Sequence, residues 1–213
     1  ILTGSSPVAT QYPHAVGAAL AMKLRGEDAV ALTSVGEGGT SQGDWHEALN
    51  FAAVQRLPVI FMVENNGWAI SVPQKEQMAV GSVAERAAGY GMPGVSVDGG
   101  DPLAVYEVMH QAVERARRGE GPTLIEARVY RFTAHSSDDD DRSYRPAEEL
   151  KEQRQHDPNK RFRATLLESG VLSEDAAAAI DQRVRAAIDD ATEFAEQAPY
   201  PDPADLLQNV YGS

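Results

Sequence analysis

Short apolar runs alternate with helix-like segments over residues 1–132, and this alternation is the feature that most constrains the fold. Residues 28–36 and 58–63 are nearly continuous apolar runs, which are typical of strands buried on both faces of a parallel sheet. An alanine-rich helix is predicted over residues 14–25, and a second helix, opened by a capping box at Asp44, lies between the two runs. The pattern predicts an α/β fold built on a doubly wound, mostly parallel sheet.

The following segments continue the alternation and then change character. Residues 94–100 and 122–132 are strand-like, and a helix is predicted between them over roughly residues 102–118. Further along, the composition shifts to Glu, Arg, Ala and Asp with helical periodicity. We therefore predict an α/β domain over residues 1–146 and a helical C-terminal extension over residues 147–213.

One long amphipathic helix is predicted in this extension, beginning near Ser173. Its apolar residues recur at helical spacing and form a stripe: Ile180, Val184, Ile188, Ala191 and Ala195. The last residues, 198–213, have the composition of an extended tail. We expect this tail to dock its apolar side chains, which are Leu206, Leu207, Val210 and Tyr211.

The bulk composition excludes several kinds of site. The chain has 213 residues and no cysteine, so disulfides, thiolate nucleophiles and cysteine-based metal sites are ruled out within it. A formal net charge of −13 disfavours binding to nucleic acid or to anionic membrane surfaces. Its apolar runs all fall short of the roughly 20 residues that span a bilayer. The chain begins at Ile1 without a methionine, and we expect it to be the C-terminal part of a longer subunit.

A carboxylate bracketed by glycines follows the first predicted strand. Glu37 has glycine on both sides, and glycines let the backbone turn sharply and approach a ligand closely. Asn65 and Asn66 follow the next strand, and ligands of open α/β sheets sit at the carboxyl ends of strands. A carboxylate and a carboxamide oxygen at neighbouring strand ends predict a magnesium site that anchors a diphosphate.

Simpler interpretations of the same residues remain open at this point. A glycine-rich turn after a strand is often only a tight connection, and adjacent asparagines are common turn residues. A Rossmann site needs G-x-G-x-x-G opening directly into a helix, whereas the glycines here stand at positions 36, 38, 39 and 43. A Walker phosphate loop does not fit because its Gly-Lys-Ser/Thr ending is missing.

Four motifs, in order along the chain, resemble those of a family of thiamine diphosphate enzymes. They are SSPVATQYPHAVGAALA, GEGGTSQGDWHEALNFAAV, ENNGWAISVP and AHSSDDDDRSYR, followed by LLQNVY in the tail. The family is that of the alpha subunits of the branched-chain 2-oxo acid dehydrogenase decarboxylating component. The resemblance implies a thiamine diphosphate-binding α/β fold and the oxidative decarboxylation of branched-chain 2-oxo acids, with acyl transfer to a lipoyl group.

The resemblance also implies a metal site and a cofactor cradle. Magnesium would be bound by Glu37, the side chain of Asn66 and the backbone carbonyl of Trp68. The residues implied in binding thiamine diphosphate are Ser6, Val8, Gly36, Glu37, Gly38, Gly39, Asn66, Trp68, Ala69, Ile70 and His135. The glycines would line the diphosphate. Ser6, the backbone of Val8 and Ile70 would meet the aminopyrimidine. A structural potassium site is implied around Ser5, Pro7, Thr10 and Gln11.

The motif AHSSDDDDRSYR implies two further roles. His135 resembles the family histidine that lies over the cofactor, where it would stabilise developing charge or shuttle protons. Ser136 corresponds to a regulatory phosphoserine of mammalian relatives, and a phosphate beside a site for an anionic substrate would inhibit. The resemblance further implies that ion pairs and hydrogen bonds order this loop once cofactor binds, through Arg131, Asp138, Tyr144 and Arg145.

A partner subunit is implied as well. In the family, the glutamate that activates the cofactor belongs to a separate beta subunit, so we expect a heterotetramer of two alpha and two beta chains. A lipoyl-bearing acyltransferase core would receive the acyl group. The family's N-terminal region, which grips the diphosphate through a Tyr-Arg pair, is missing here, and Glu64 stands where some relatives have arginine. Diphosphate binding by this chain alone is therefore expected to be weak.

Two alternatives stay open. The chain could instead be the alpha subunit of a pyruvate or acetoin dehydrogenase, or a truncated module that assembles with its partner but is catalytically silent. We expect a cytoplasmic location in a bacterium, or the mitochondrial matrix in a eukaryote. Neither nucleic acid nor a membrane is expected among the partners.

Overall fold

A four-stranded parallel sheet forms the centre of the fold in the computed structural model, which describes residues 6–208. In chain order the elements are α1 (Gln11–Arg25), β1 (Ala31–Gly36), α2 (Gly43–Gln55), β2 (Val59–Asn65), β3 (Trp68–Ala69), β4 (Val72–Pro73), α3 (Gln74–Gln77), β5 (Gly94–Asp98), α4 (Pro102–Arg117), β6 (Thr123–Arg128), α5 (Ala147–Gln153), α6 (Pro158–Glu168) and α7 (Glu174–Gln197). Short 3₁₀ segments cover Glu37–Ser41, Ala84–Tyr90, Asp141–Ser143, Arg154–His156 and Pro203–Leu207.

The strand order of the sheet is β1-β2-β6-β5, and every neighbouring pair is parallel. The last strand in sequence, β6, therefore lies between β2 and β5. Strands β3 and β4 form a separate antiparallel hairpin that follows β2. The predicted α/β class with a parallel sheet is confirmed.

Helices cover both faces of the sheet and create two apolar cores. On one face α1 and α2 contribute Tyr12 and Trp45 to a core that includes Phe61 of β2. The rings of Tyr12 and Phe61 stack with their centroids 5.4 Å apart. On the other face α4 packs over Ile60 and Ile125. The central strand β2 is buried on both faces and therefore reads as a continuous apolar run in the sequence. The edge strand β1 alternates buried and exposed residues, and Leu32 is 57% exposed, so the prediction that β1 is buried on both faces is wrong.

The helix ends agree with the sequence pattern in two cases and differ in one. Helix α1 ends at Gly26, which adopts the left-handed conformation with φ 67°, as predicted for a C-cap glycine. Helix α7 begins after Ser173, whose hydroxyl accepts a hydrogen bond from the backbone N–H of Ala176 at 3.2 Å. The predicted capping box at Asp44 is wrong. The N-cap of α2 is Gln42, without a side-chain cap, because the 3₁₀ segment before it leads directly into the helix and leaves Asp44 in the first turn.

The chain divides into two compact units, residues 1–162 and residues 163–213. The second unit contains α7, on which the predicted stripe residues Ile180, Val184 and Ile188 are exposed to solvent. The predicted docking residues Val210 and Tyr211 lie outside the described residues, as does the side chain of Leu207. Among residues 6–208, every helix is too short or too polar to cross a bilayer.

Candidate functional site

The carboxyl ends of β1 and β2 bring the two halves of the predicted metal site to one edge of the sheet. Glu37 follows β1 directly, and Asn65 is the last residue of β2. Because the strands are parallel and Gly36 pairs with Glu64, the residues that follow each strand lie side by side. The predicted strand-end arrangement is therefore present in the fold.

Glu37 is a buried carboxylate with one oxygen left over. Its side chain is only 1% exposed. Oε2 accepts a hydrogen bond from the backbone N–H of Asn66 at 3.2 Å, whereas the buried Oε1 has no hydrogen-bond partner within the described part of the chain. Burial raises the pKa of this carboxyl. A buried acceptor without a partner is costly, and a cation bound at Oε1 would remove that cost.

The two adjacent asparagines have different environments. Asn65 is buried, and its amide group is saturated: Nδ2 donates to Gln74 at 2.9 Å and to Glu126 at 2.6 Å, and Oδ1 accepts from the N–H of Gly67 at 2.9 Å. Asn66 is only partly buried, and its Oδ1 accepts from the N–H of Trp68 at 3.0 Å. Of the pair, the saturated residue supports the turn, and Asn66 is the one joined to the carboxylate of Glu37 through its backbone.

In the β3–β4 hairpin, the backbone carbonyl of Trp68 accepts no hydrogen bond from the residue opposite it in the other strand. Trp68 pairs in register with Pro73, and proline has no N–H that could donate to this carbonyl. The indole ring of Trp68 lies 5.4 Å, centroid to centroid, from the ring of Tyr144. The backbone oxygen predicted as a third metal ligand is thus not used by its cross-strand neighbour.

Two of the predicted diphosphate glycines permit close packing of the turn after β1. A Cβ atom at Gly38 would lie 2.8 Å from the Cβ of Ala69, and one at Gly39 would lie 2.3 Å from Cγ2 of Val35 and 3.1 Å from Cγ1 of Val8. The turn therefore contacts two other residues predicted to bind cofactor. A Cβ at Gly36 would meet nothing nearer than 4.0 Å, so open space remains beside that glycine.

An exposed apolar rim borders this polar turn. Val8 is 56% exposed and Ile70 is 51% exposed, and Ser6 beside them is also exposed. Ile70 adopts φ 58°, a left-handed conformation that is rare and strained for a β-branched residue. Its carbonyl accepts a hydrogen bond from Nη2 of Arg131 at 3.0 Å. Ser6, the backbone of Val8 and Ile70 are the groups predicted to meet the aminopyrimidine.

The residues of the predicted potassium site lie partly outside the described part of the chain, since Ser5 is not described. The carbonyl of Pro7 accepts a hydrogen bond from the hydroxyl of Thr10 at 2.5 Å. The side chain of Gln11 donates instead to the carbonyl of Ser34 in β1 at 2.8 Å. Pro7 and Thr10 are brought together, and Gln11 connects their segment to the sheet.

A chain of hydrogen bonds holds the loop that carries His135. The backbone N–H of this exposed residue donates to Oδ2 of Asp139 at 2.8 Å. The hydroxyl of Tyr144 donates to the same oxygen at 2.5 Å, and Nη2 of Arg131 donates to that hydroxyl at 2.9 Å. The loop partner is therefore Asp139, whereas the predicted Asp138 accepts a hydrogen bond from its neighbour Ser137.

The buried side chain of Arg145 also holds the loop that carries His135. It is 6% exposed, and its Nη2 donates to the carbonyl of Arg131 at 2.6 Å while its Nη1 pairs with Asp141 at 3.1 Å. The guanidinium lies 4.9 Å from the ring centroid of Tyr130, a distance suited to a cation–π contact. Ser136, the predicted regulatory residue, lies exposed on this loop.

A buried acid that the sequence interpretation missed lies next to the site. Glu126 of β6 is 1% exposed and accepts a hydrogen bond from the side chain of Asn65. The signal was available, because a carboxylate stands between the apolar residues Leu124, Ile125 and Ala127 of the predicted strand. A charged residue in a buried strand needs several partners to be tolerated.

A cleft of about 570 Å³ also opens at this edge of the sheet, beyond β5 and β6, and contains none of the predicted site residues. Its acidic group, Asp98, is already paired with Arg161 at 2.9 Å and accepts from the N–H of Gly100. Those contacts hold the pKa of Asp98 below its ordinary value. The acidic group of this cleft is therefore already paired, whereas Oε1 of Glu37 has no hydrogen-bond partner within residues 6–208.

Comparison with known proteins gives a consistent set of relatives. The family described as "Dehydrogenase E1 component" matches residues 1–204. The chain is 54% identical over 211 residues to the 2-oxoisovalerate dehydrogenase subunit alpha of Bacillus subtilis, which covers 99% of this chain and 64% of the relative. It is 45% identical over 207 residues to the 3-methyl-2-oxobutanoate dehydrogenase subunit alpha of Mycobacterium tuberculosis, with 97% and 56% covered.

A third relative belongs to a different substrate branch. The pyruvate dehydrogenase E1 component subunit alpha of Staphylococcus aureus is 42% identical over 205 residues, which are 96% of this chain and 55% of the relative. The chain thus spans between 55% and 64% of the length of these relatives.

Proposed function

Because the chain belongs to the dehydrogenase E1 component family, we propose that it is the alpha subunit of a thiamine diphosphate-dependent 2-oxo acid dehydrogenase that acts on branched-chain 2-oxo acids. The single observation that carries the proposal is the buried, unpartnered Oε1 of Glu37 beside Asn66. The branched-chain substrate is supported by identities of 54% and 45% to relatives named for such acids, against 42% to the pyruvate relative.

The metal would be held by three oxygens at the ends of β1 and β2. Glu37 supplies a carboxylate oxygen, Asn66 its side-chain oxygen, and Trp68 its backbone carbonyl. Magnesium suits this set because it takes few protein oxygens and fills its other positions with water and phosphate oxygens. Gly36, Gly38 and Gly39 would line the diphosphate. When bound, thiamine diphosphate supplies the electron sink that the decarboxylation of a 2-oxo acid requires.

The apolar rim would hold the other end of the cofactor. Ser6, Val8, Ala69 and Ile70 would contact the aminopyrimidine and exclude water from it. The strained conformation of Ile70 supports a binding role, since such strain is concentrated at ligand sites. A potassium ion bound around Ser5, Pro7, Thr10 and Gln11 would stiffen the segment that carries the first two of these residues.

The exposed rim also supports the partner that we propose. A beta subunit would cover Val8 and Ile70 and complete the cofactor site, in a heterotetramer of two alpha and two beta chains within a multienzyme complex. A lipoyl-bearing acyltransferase core would accept the acyl product. In this assembly residues 1–146 would form the cofactor domain and residues 147–213 the helical extension and docking tail, although residues 147–162 belong to the first compact unit. We propose a cytoplasmic location, the expectation for a bacterial chain, which is supported by the bacterial origin of the relatives compared above.

His135 is proposed as the catalytic residue of this chain, and Ser136 as a regulatory site beside it. We expect His135→Ala to lower kcat of the assembled enzyme by about 100-fold or more, the usual contribution of a proton-transferring side chain. Because the residue is exposed and its recorded hydrogen bond is made by the backbone, the thermal unfolding midpoint should stay near that of the parent protein. His110→Ala, an exposed histidine on α4, is the control. An unchanged kcat in His135→Ala would refute the catalytic role.

The substrate proposal is tested by steady-state decarboxylation in complex with the beta subunit. We expect a higher kcat/KM for 3-methyl-2-oxobutanoate than for pyruvate. A clear preference for pyruvate would transfer the assignment to the pyruvate branch, which the 42% relative supports. Assembly and cofactor binding without any decarboxylation would instead identify a silent assembly module.

A further inference from the structure

One buried carboxylate joins two distant points of the chain beside the candidate metal site. On one side, Oε1 of Glu126 accepts from Nδ2 of Asn65 at 2.6 Å. On the other side, the same carboxylate accepts from the hydroxyl of Ser82 and from the backbone N–H groups of Val83, at 3.0 Å, and Ala84, at 3.4 Å. Residues 66–81 lie between these two points and are named here the ligand loop.

The ligand loop contains two of the three proposed metal ligands, Asn66 and Trp68. Glu126 therefore fixes both of its ends, since Asn65 precedes the loop and Ser82 follows it. Closing a loop of this length costs entropy, and a multiply hydrogen-bonded buried carboxylate can hold it closed.

Gln74 ties the middle of the ligand loop to the same network. Its Oε1 accepts from Nδ2 of Asn65 at 2.9 Å, and its Nε2 donates to the carbonyl of Gly81 at 2.9 Å. Its backbone N–H donates to the carbonyl of Gly67 at 2.9 Å. The turn that carries the proposed ligands is thereby connected, through one glutamine, to the far end of the loop.

Within the described part of the chain, the groups that contact the Glu126 carboxylate donate hydrogen bonds to it. Burial acts to raise the pKa of Glu126, but the hydrogen bonds from its partners together hold that pKa below its ordinary value. The group is therefore a carboxylate at neutral pH, and both of its oxygens are needed as acceptors. A glutamine would place its N–H₂ group either at Oε1, against the donors of Asn65 and Val83, or at Oε2, against the N–H of Ala84. In both cases it also removes the charge that strengthens the remaining hydrogen bonds.

We propose that Glu126 is a positioning residue of the metal site, which holds the ligand loop at both ends and so fixes Asn66 and Trp68 against Glu37. The inference rests on the proposed magnesium–diphosphate function. It goes beyond that function because Glu126 does not itself contact metal or cofactor. Its effect is on how firmly the ligands are held.

The test measures metal affinity separately from the amount of folded enzyme. Using Mn²⁺ as the probe and the full chain assembled with its beta subunit, bound metal is titrated by electron paramagnetic resonance in the presence of thiamine diphosphate. We expect Glu126→Gln to raise the Kd for Mn²⁺ by about 10- to 100-fold, the usual effect of losing a group that orients a metal ligand. At saturating metal and cofactor, kcat should return to within about threefold of the parent value.

A second readout does not depend on the metal. Hydrogen–deuterium exchange should accelerate in peptides of residues 66–81 of Glu126→Gln, and remain unchanged in α4. Ser82→Ala removes one donor and keeps the carboxylate, so it should show the same changes to a smaller extent. This milder variant decides the matter if Glu126→Gln fails to assemble.

Glu37→Ala is included in the same titration to distinguish failure of the proposed metal site from failure of the positioning role of Glu126. If Glu37→Ala binds Mn²⁺ as the parent enzyme does, the proposed metal site itself is wrong. If Glu37→Ala loses the metal while Glu126→Gln and Ser82→Ala keep the parent Kd, the positioning role is overturned and the proposed function stands. A lower yield of folded enzyme with an unchanged Kd would likewise reduce Glu126 to a purely structural residue.

Discussion

Glu37→Ala is expected to weaken metal-dependent cofactor binding by at least about 100-fold, because a direct ligand contributes no less than the groups that merely orient ligands. Asn66 would keep its side chain but would lose the carboxylate that accepts its backbone N–H. The measurement is isothermal titration of the assembled enzyme with thiamine diphosphate at fixed magnesium. Glu47→Ala removes the same charge from an exposed position of α2 and should leave the affinity unchanged. Parent-like affinity in Glu37→Ala would contradict the ligand assignment.

The variant Glu37→Gln tests whether the weaker cofactor binding is caused by the lost charge and not by misfolding. Glutamine keeps the acceptor for the N–H of Asn66 but cannot provide the charge that magnesium requires. Burial raises the pKa of Glu37, so the folded chain holds this proton to higher pH than the unfolded chain. Without metal, the free energy of unfolding of the parent protein therefore falls as the pH rises from the ordinary pKa of glutamate to the raised pKa of Glu37 in the folded state. Glu37→Gln escapes that loss.

Thermal unfolding measured as a function of pH tests the predicted effect of Glu37→Gln on stability. Without metal, we expect Glu37→Gln to be the more stable protein at neutral pH, and the advantage to vanish below about pH 4, where both states of the parent are protonated. With magnesium and cofactor in the assembled enzyme, the order reverses because the ligands stabilise only the parent. A Glu37→Gln variant that is less stable without metal at neutral pH would contradict the raised pKa.

Gly94→Ala is expected to destabilise the fold by more than about 3 kcal/mol, at the severe end of single substitutions. A Cβ at Gly94 would lie 2.0 Å from the backbone oxygen of Ala84 and 2.8 Å from the Cβ of Ala87. Because the first of these atoms is backbone, no side-chain rotation relieves the contact. The 3₁₀ segment Ala84–Tyr90 would have to move away from β5.

Urea denaturation measures this effect. Gly17→Ala in α1 is the matched control, since a Cβ there meets nothing within 4 Å. Alanine is the better helix former by up to about 1 kcal/mol, so the control should be neutral or slightly stabilised. An equal and small change in both variants would show that the β5 contact is not as close as described.

The central strand could be predicted from the sequence because both of its faces are buried, whereas the edge strand β1 exposes Leu32 and was wrongly expected to be buried on both faces. The apolar run at 58–63, for example, is found in β2, which continues to Asn65. The insertion of β6 between β2 and β5 could not be predicted, since pairing between residues distant in sequence leaves no local signal. The capping box was wrong because the pattern at Asp44 does not reveal that a 3₁₀ turn feeds the helix from Gln42.

The position of a site residue could be predicted where the residue follows the end of a strand. The sequence did not show which of two adjacent, chemically identical residues makes a given contact. Glu37 and the asparagine pair could be placed at one sheet edge from the chain pattern alone. Only side-chain contacts distinguish Asn65, which is saturated by Gln74 and Glu126, from Asn66. The same limit applies to the loop aspartate, where the contact is made by Asp139. The metal, cofactor and catalytic roles remain predictions.

The position of β6 in the middle of the sheet also bears on the order in which the site can form. Ala31 pairs with Val59, whereas Ile60 pairs with Thr123, so the second pairing closes a much longer stretch of chain and costs more entropy. We therefore expect amides of β1 and β2 to gain protection no later than those of β6 in pulsed hydrogen exchange during refolding. Earlier protection of β6 would exclude this order. On this order, Glu37 and Asn66 come together when β1 pairs with β2. Glu126 can reach Asn65 only when β6 joins the sheet, so the proposed ligands would meet before the group that holds their loop is in place.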